Sequence, residues 1–148
     1  MSGLDLLKEE MKQDRSDETQ CRINAIHRLK TVILSLDQSE VQNGLVAFLD
    51  ELIQKPEEDE VLYSIAEELG KCFSMHPDRT LFLGLLEQLC KHDETEVRNR
   101  AVLSLIQICD SLQDADVQNV FAPLVIKLAQ HDWFPGRVSS CKLFTVCY

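Results

Sequence analysis

The sequence predicts an all-α protein built from repeated helix pairs, and three observations lead to this fold class. The 148 residues include only five glycines and four prolines. No run shows the period-two alternation that is typical of a half-buried strand. Apolar residues instead recur three and four positions apart in segment after segment, which is the spacing of an amphipathic helix.

Eight helical segments follow one another, separated by short polar turns. The first covers residues 4–12 and the second 19–35, and the third begins at Val41 after a turn in which Ser39 is the predicted cap. The fourth starts at Val61 and the fifth covers 81–90. The sixth lies behind an acidic turn within 92–109, the seventh covers 117–130 and the eighth 135–148. Pro123 predicts a bend in the seventh helix, because proline removes one helical hydrogen bond.

The even-numbered helices align with one another, which reveals an internal repeat. The matching columns are Cys21, Val61, Val97 and Gly136; Ala25, Ile65, Ala101 and Ser140; Leu29, Leu69, Leu105 and Phe144; and Val32, Cys72, Ile108 and Cys147. A helix–turn–helix unit that recurs every roughly 40 residues indicates a HEAT or armadillo solenoid, and two helices per unit favour HEAT. We therefore predict a HEAT-repeat α-solenoid (α-α superhelix) of about four helix pairs. The repeats are assigned to residues 1–36, 37–76, 77–113 and 114–148, the last truncated at its second helix.

The net charge of −10 limits the class of partner. A surface of this charge repels phosphates, so nucleic acid and anionic membranes are not expected partners, whereas a basic protein surface is. The six cysteines form no CxxC pair and fall mostly in apolar stripes, as expected in a reducing compartment. No signal peptide or membrane-spanning run is present, so the expected location is the cytoplasm and also the nucleus.

The turns between the two helices of each repeat are the candidate partner-binding site. They cover residues 14–18, 56–60, 92–96 and 131–135, and they share one edge of the stack because each has the same place in the unit. Acidic turns attract lysine and arginine, and an exposed tryptophan can anchor an interface. The alternatives are that the carboxylates only cap helices and that the aromatic pair folds into the core. The predicted residues are Glu58, Asp59, Glu60, Asp93, Glu94, Glu96, Asp132, Trp133 and Phe134, with Asp17 in the same acidic ridge.

Catalytic and metal hypotheses find little support in the sequence. Cys90 and His92, even with His76 and His131, lack the spacing of a metal site. Ser139, Ser140 and Cys109 lack a glycine-rich elbow or a paired base. We therefore expect no enzyme activity, no cofactor and no metal. Arg98 and Arg137 form an arginine column, for which we expect a structural role in holding a turn.

Three segments resemble the N-terminal HEAT repeats of the protein phosphatase 2A scaffold (A, 65 kDa regulatory) subunit. They are DEVLYSIAEELG at 59–70, ETEVRNRAVLSL at 94–105 and FAPLVIKLAQHDWFPGRVSSCKLFTVCY at 121–148. The pattern DWF…R…S.C.LF..CY is the most specific part, and the resemblance covers essentially the whole chain. The chain departs from the family at Ala47 and Gly84, where proline is usual, which leaves the curvature of the second and third repeats open.

This resemblance implies a non-catalytic scaffold. In the family, the intra-repeat turns hold a regulatory (B) subunit, and C-terminal repeats that this chain does not match hold the catalytic subunit. Glu60, Glu94, Asp132 and Trp133 fall at turn positions that are expected to touch the regulatory subunit. The last helix has no cap or glycine stop after Tyr148, so we expect a fragment of a longer protein. The alternative is a generic HEAT or armadillo adaptor, such as a transport-receptor fragment, whose concave groove binds basic peptides.

Overall fold

The computed structural model describes residues 2–12, 18–55 and 58–147, and within these ranges the regular elements are all helical. None of the helices in these ranges has both the length and the hydropathy that crossing a bilayer requires. Of the residues named above, 14–17 and 56–57 of the predicted turns, with Asp17 among them, and Tyr148 lie outside the described residues. The helices are α1 (Gly3–Met11), α2 (Glu18–His27), α3 (Leu29–Ser35), α4 (Gln38–Glu40), α5 (Val46–Gln54), α6 (Asp59–Cys72), α7 (Leu83–Leu89), α8 (Thr95–Ser111), α9 (Asp114–Asp116), α10 (Ala122–Ala129) and α11 (Phe134–Cys147).

The helices pair locally and the pairs stack in chain order. Helix α1 packs on α2 and α3, α7 packs on α8, and α10 packs on α11. The second helices of the pairs form a continuous layer, in which α6 lies between α2 and α8, and α8 lies between α6 and α11. The first helices lie in the other layer, where α5 contacts α7. This arrangement is an all-α solenoid, as the repeat alignment predicts. The exact repeat boundaries stay a prediction.

The aligned columns form the core between the repeats. Leu29, Leu69 and Leu105, which share one column, are fully buried in three successive second helices. Buried hydroxyls supplement this apolar contact between repeats. The Ser104 hydroxyl donates to the backbone oxygen of Ala66 at 2.6 Å, which satisfies both groups between α6 and α8. Each repeat is therefore joined to the next by a continuous apolar core with internal hydrogen bonds.

Several helix boundaries differ from the predicted ones by a few residues, and two of the differences have a clear local cause. The predicted second helix is interrupted at Arg28, whose N–H bonds to Ala25 three residues earlier in a tighter turn. The predicted Ser39 cap is wrong because the helix begins earlier, at Gln38. Asp37 is the cap, and its carboxylate accepts the Glu40 N–H at 2.8 Å. The Glu40 carboxylate accepts the Asp37 N–H in return, which completes a capping box.

The bend predicted at Pro123 coincides with a wide π turn, Val117–Phe121, directly before α10. In this turn the Ala122 N–H bonds to the Val117 carbonyl, five residues back. An equivalent π turn, Val41–Leu45, precedes α5, although Ala47 stands there in the place of the proline. The third repeat has a regular α7 around Gly84. The π turn of the second repeat therefore forms without a proline.

A first testable prediction concerns the close approach of α6 and α8. A Cβ added at Gly70 would lie 2.4 Å from the Ser104 Oγ and 2.8 Å from the Ser104 Cβ, whereas one added at Gly84 would meet nothing within 4 Å. Gly70→Ala should lower the free energy of unfolding by about 1–3 kcal/mol through overpacking. Gly84→Ala should raise it by about 0.5–1 kcal/mol, since alanine is the better helix former. Urea denaturation of both variants measures the difference, and a stabilised Gly70→Ala variant would contradict the packing.

A second prediction concerns thiol reactivity. Burial, with the Glu68 carboxylate nearby, raises the pKa of Cys72 to about 11. Burial also raises the pKa of the Cys90 thiol, whereas Cys141 is exposed. Because the thiolate is the nucleophile, iodoacetamide at about pH 8 should modify Cys141 while Cys72 and Cys90 stay protected. Peptide mass spectrometry follows each site, with the urea-unfolded chain as the fully reactive control. Equal rates at Cys72 and Cys141 would contradict the buried placement.

Candidate partner-binding edge

The candidate site is one edge of the stack, where the first helix of each pair turns into the second. We call it the turn edge and define it by residues 58–60, 90–96 and 130–135. Glu58 and Glu94 occupy the N-cap positions of α6 and α8, and Trp133 directly precedes α11. The repeat thus places these three side chains at equivalent points of successive repeats.

The turn of the third repeat is held by its own polar groups. The His92 Nδ1 accepts the N–H of Glu94 at 3.0 Å. The Arg98 Nη1 donates to the backbone oxygens of His92 and Asp93, at 2.7 Å each, and its Nη2 donates to the Thr95 hydroxyl. One guanidinium therefore satisfies two carbonyls of the turn between α7 and α8, which belong to neither helix.

The turn of the fourth repeat is held by the same two residue types, a histidine and an arginine. The His131 Nδ1 accepts the N–H of Trp133 at 3.0 Å. The Arg137 Nη1 donates to the backbone oxygens of His131 and Asp132, at 2.8 Å each. Both arginines therefore bind carbonyls of the turn in their own repeat, in line with the structural role expected of the arginine column. Glu94 and Trp133 are presented from turns of the same internal geometry.

An acidic groove of about 580 Å³ lies between the turns of the second and third repeats. Its rim carries four carboxylates, and its wall includes Tyr63, whose side chain is partly exposed. The His92 Nε2 lies 3.9 Å from the Asp59 Oδ1 and connects the two turns across this region. Four carboxylates around one groove create a negative potential that favours a cationic side chain. The carboxylates belong to Asp59, Glu60, Glu94 and Glu96.

The alternative that the acidic residues only cap helices does not hold at the N-cap positions of α6 and α8. Glu94 stands at the N-cap of α8, yet α8 has no cap hydrogen bond from this side chain in the described part of the chain. Glu58 likewise makes no cap bond to α6, and its carboxylate accepts the hydroxyl hydrogen of Thr19. Asp59, Glu60 and Glu96 are exposed in first helical turns, where the helix dipole favours their charge. Side-chain capping therefore does not account for Glu94.

The aromatic pair lies on the surface rather than in the core. Trp133 is 52% exposed and Phe134 is 66% exposed. The Arg137 guanidinium lies 5.9 Å from the centre of the Phe134 ring, which indicates a cation–π contact. The folded-under alternative is therefore wrong for both side chains in this structure. The exposed indole leaves apolar area and a ring N–H available to a partner.

The structure brings together only part of the predicted set. Asp93 borders a different groove, with Gln54, Gln88 and Lys91 between the first helices. Asp132 is exposed beside Trp133, and its backbone oxygen accepts from Arg137. Tyr63 was not predicted as a site residue. Apolar periodicity identifies the buried stripe of α6 and gives no information about the residues beside it. A signal was nevertheless present: an aromatic residue outside the stripe, one helical turn after three acidic residues.

A polar network joins the second helices away from the turn edge. The His27 Nδ1 lies 3.0 Å from the Glu68 Oε1, and the Lys71 Nζ lies 3.1 Å from the Glu67 Oε1. The hydrogen bond from Lys71 to Glu67 raises the pKa of Lys71. His27, Glu67 and Glu68 have the ligand spacing of a metal site, but Lys71 and Arg100 already neutralise the carboxylates. We interpret the cluster as an ion-pair network between repeats.

The residues considered for catalysis are placed in the interior. The Ser139 hydroxyl donates to the Cys90 carbonyl oxygen at 2.8 Å, and the Ser140 hydroxyl donates to that of Arg137. Cys109 and Cys90 are buried in the core. Each hydroxyl thus has a structural partner, and these side chains serve helix packing.

Comparison with known proteins finds regulatory subunits of protein phosphatase 2A among the relatives. The beta isoform of the serine/threonine-protein phosphatase 2A 65 kDa regulatory A subunit of Homo sapiens is 40% identical over 137 residues, which is 90% of this chain and 22% of the relative. A probable phosphatase PP2A regulatory subunit of Caenorhabditis elegans is 39% identical over 90% of this chain and 23% of the relative. The PP2A regulatory A-type protein of Saccharomyces cerevisiae is 38% identical over 95% of this chain and 22% of the relative.

No protein-family profile matches the chain. The chain spans less than a quarter of the length of these relatives. The chain is therefore a homologue, over nine-tenths of its own length, of the protein phosphatase 2A 65 kDa regulatory A subunits.

Proposed function

We propose that this chain is a non-catalytic scaffold segment that binds a regulatory (B) subunit of a serine/threonine protein phosphatase 2A holoenzyme through its turn edge. The observation that carries the proposal is the placement of Glu94 and Trp133 at the same point of two equally built turns, with Glu94 on the rim of the acidic groove. The relatives, which are named as regulatory subunits of this phosphatase, support the same assignment.

The chemistry of the edge suits a basic partner surface with an apolar pocket. The four carboxylates of the acidic groove attract lysine and arginine side chains and raise the rate of encounter. Trp133, exposed beyond them, supplies the large apolar contact that gives an interface much of its binding energy. Charge would therefore orient the partner, and the indole would hold it.

In the full-length protein we propose that further, C-terminal repeats hold the catalytic subunit, as the family resemblance implies. The scaffold would then act by raising the effective concentration of the catalytic subunit near whatever the regulatory subunit recruits. Such a role needs no reactive side chain in this chain. It would be exercised in the cytoplasm and the nucleus.

The third prediction tests the turn edge directly. Trp133→Ala should weaken binding of a purified phosphatase 2A regulatory subunit to the immobilised chain by at least about tenfold, because a central aromatic anchor typically contributes about 2 kcal/mol or more. Glu94→Lys should weaken it as well, and more strongly at low salt. Biolayer interferometry of the wild-type chain and both variants gives the affinities.

Leu103→Ala is the matched control, since Leu103 is 54% exposed but lies on α8, away from the turn edge. This variant should bind within about twofold of the wild type, as expected for a residue outside the interface. The opposite pattern, with binding lost in Leu103→Ala and kept in Trp133→Ala, would favour the adaptor alternative with a concave binding groove.

A fourth prediction concerns the turn itself. Arg98→Lys keeps the charge but cannot bridge the carbonyls of His92 and Asp93 while also reaching Thr95. The turn that presents Glu94 should loosen, and amide hydrogen exchange at residues 92–96 should become faster. Binding of the regulatory subunit should weaken although Arg98 does not itself contact the partner. Unchanged exchange at 92–96 would show that the guanidinium does not hold the turn.

A further inference from the structure

The first inter-repeat interval holds a basic pocket that the proposed function does not use. It lies between the C-terminal ends of α1 and α5, on the first-helix side of the turn edge, and has a volume of about 470 Å³. Four cationic side chains line it, together with one carboxylate, that of Glu51. They are Lys8, Lys12, Arg22 and Lys55.

The pocket combines this charge with an apolar wall. Phe48, Met11 and Leu52 contribute to the lining, and the Lys8 ammonium lies 5.7 Å from the centre of the Phe48 ring. The Lys55 Nζ lies 3.5 Å from the Glu51 Oε1, a pair that is exposed and therefore weak. Arg22 makes other contacts within the protein, so the charge available to a ligand comes mainly from Lys8, Lys12 and Lys55.

Lysines near helix C-termini are common, because they complement the dipole. The groove of the next inter-repeat interval shows that this preference does not account for all of the cationic side chains in the pocket. The equivalent groove between α5 and α7 is lined by one lysine, Lys91, together with the carboxylate of Asp93. The concentration of cations is thus a feature of the first interval, in a chain whose net charge is −10.

We infer that the Lys8, Lys12 and Lys55 pocket binds an acidic segment of the protein that docks on the turn edge. Charge complementarity identifies the occupant, since carboxylates are the groups that three adjacent ammonium groups attract. A long polyanion such as nucleic acid is disfavoured, because the acidic groove of the next interval would repel its continuation. A short run of aspartate or glutamate side chains fits the pocket volume.

This inference rests on the proposed function. Its consequence is that the partner binds in one orientation along the stack of repeats. In repeat order the surface changes from basic at this pocket in the first interval to acidic at the turn edge between the second and third repeats, and then to aromatic at Trp133. A partner with an acidic segment before a basic one can match this order in one orientation only. The basic pocket would thus fix which end of the partner lies over the first repeat.

The experiment uses the whole 148-residue chain and fluorescein-labelled hexaglutamate as the probe, at about 50 mM salt, where screening is weak. Fluorescence anisotropy should show saturable binding, despite the net negative charge of the protein. Lys8→Glu/Lys12→Glu should weaken it by about tenfold or more, and Lys8→Gln/Lys12→Gln by less, because local charge sets the attraction. Circular dichroism verifies that each variant remains helical.

The matched control is Lys30→Glu/Lys142→Glu, which makes the same charge change outside the pocket. Hexaglutamate affinity should stay within about twofold of the wild type in this control. Equal weakening in both reversal variants would overturn the inference, as would the absence of saturable binding to the wild type. Trp133→Ala should bind hexaglutamate normally, so a failure of the regulatory-subunit proposal is distinguishable from a failure of the basic pocket.

Discussion

The close contact between successive second helices is the constraint on which the rest of the structure depends. No single helix pair can bury its apolar stripe alone, so α6 must pack on both α2 and α8. Small residues make this close approach possible. A Cβ at Gly70 would clash with Ser104. The Ser104 hydroxyl in turn donates a hydrogen bond to the Ala66 carbonyl oxygen in α6. The repeats are therefore locked in register, and the spacing of the turns follows from the spacing of the helices.

The turn edge gains its geometry from that register. Because α8 and α11 are held at fixed positions, the turns before them can be tightened by local groups, a histidine nitrogen and an arginine in each case. Residues at the same point of these turns can then differ freely in chemistry. Glu94 and Trp133 occupy equivalent places, yet one attracts charge and the other offers apolar area. A rigid backbone with variable side chains suits a scaffold that must match an extended partner surface.

The sequence predicted the helix pairs and their order well, because burial of one stripe per helix leaves a strong periodic pattern. It also predicted that Arg98 and Arg137 have a structural role. Exposure of Trp133 was its preferred interpretation. It could not predict the acidic groove, because Asp59, Glu60, Glu94 and Glu96 are brought together by stacking of two repeats. The basic pocket around Lys8 was missed for the same reason, whereas Tyr63 was missed because it lies beside the apolar stripe of α6. The Ser39 cap was wrong because two nearby positions offered good capping residues, and the reciprocal bonds of Asp37 and Glu40 decided between them.

The two π turns bear on how repeats of unequal length can coexist in one stack. The interval from Val61 to Val97, which contains the regular α7, is shorter than the intervals that contain the π turns Val41–Leu45 and Val117–Phe121. A π turn accommodates one residue more than the α turn it replaces, and here it does so at the start of a first helix while Val41, Leu45 and Phe121 within the turns stay buried. An inserted residue is thus absorbed locally, and the helix that follows keeps its buried face. Each π turn therefore accounts for one residue of the difference in repeat length without interrupting the first helix of its repeat.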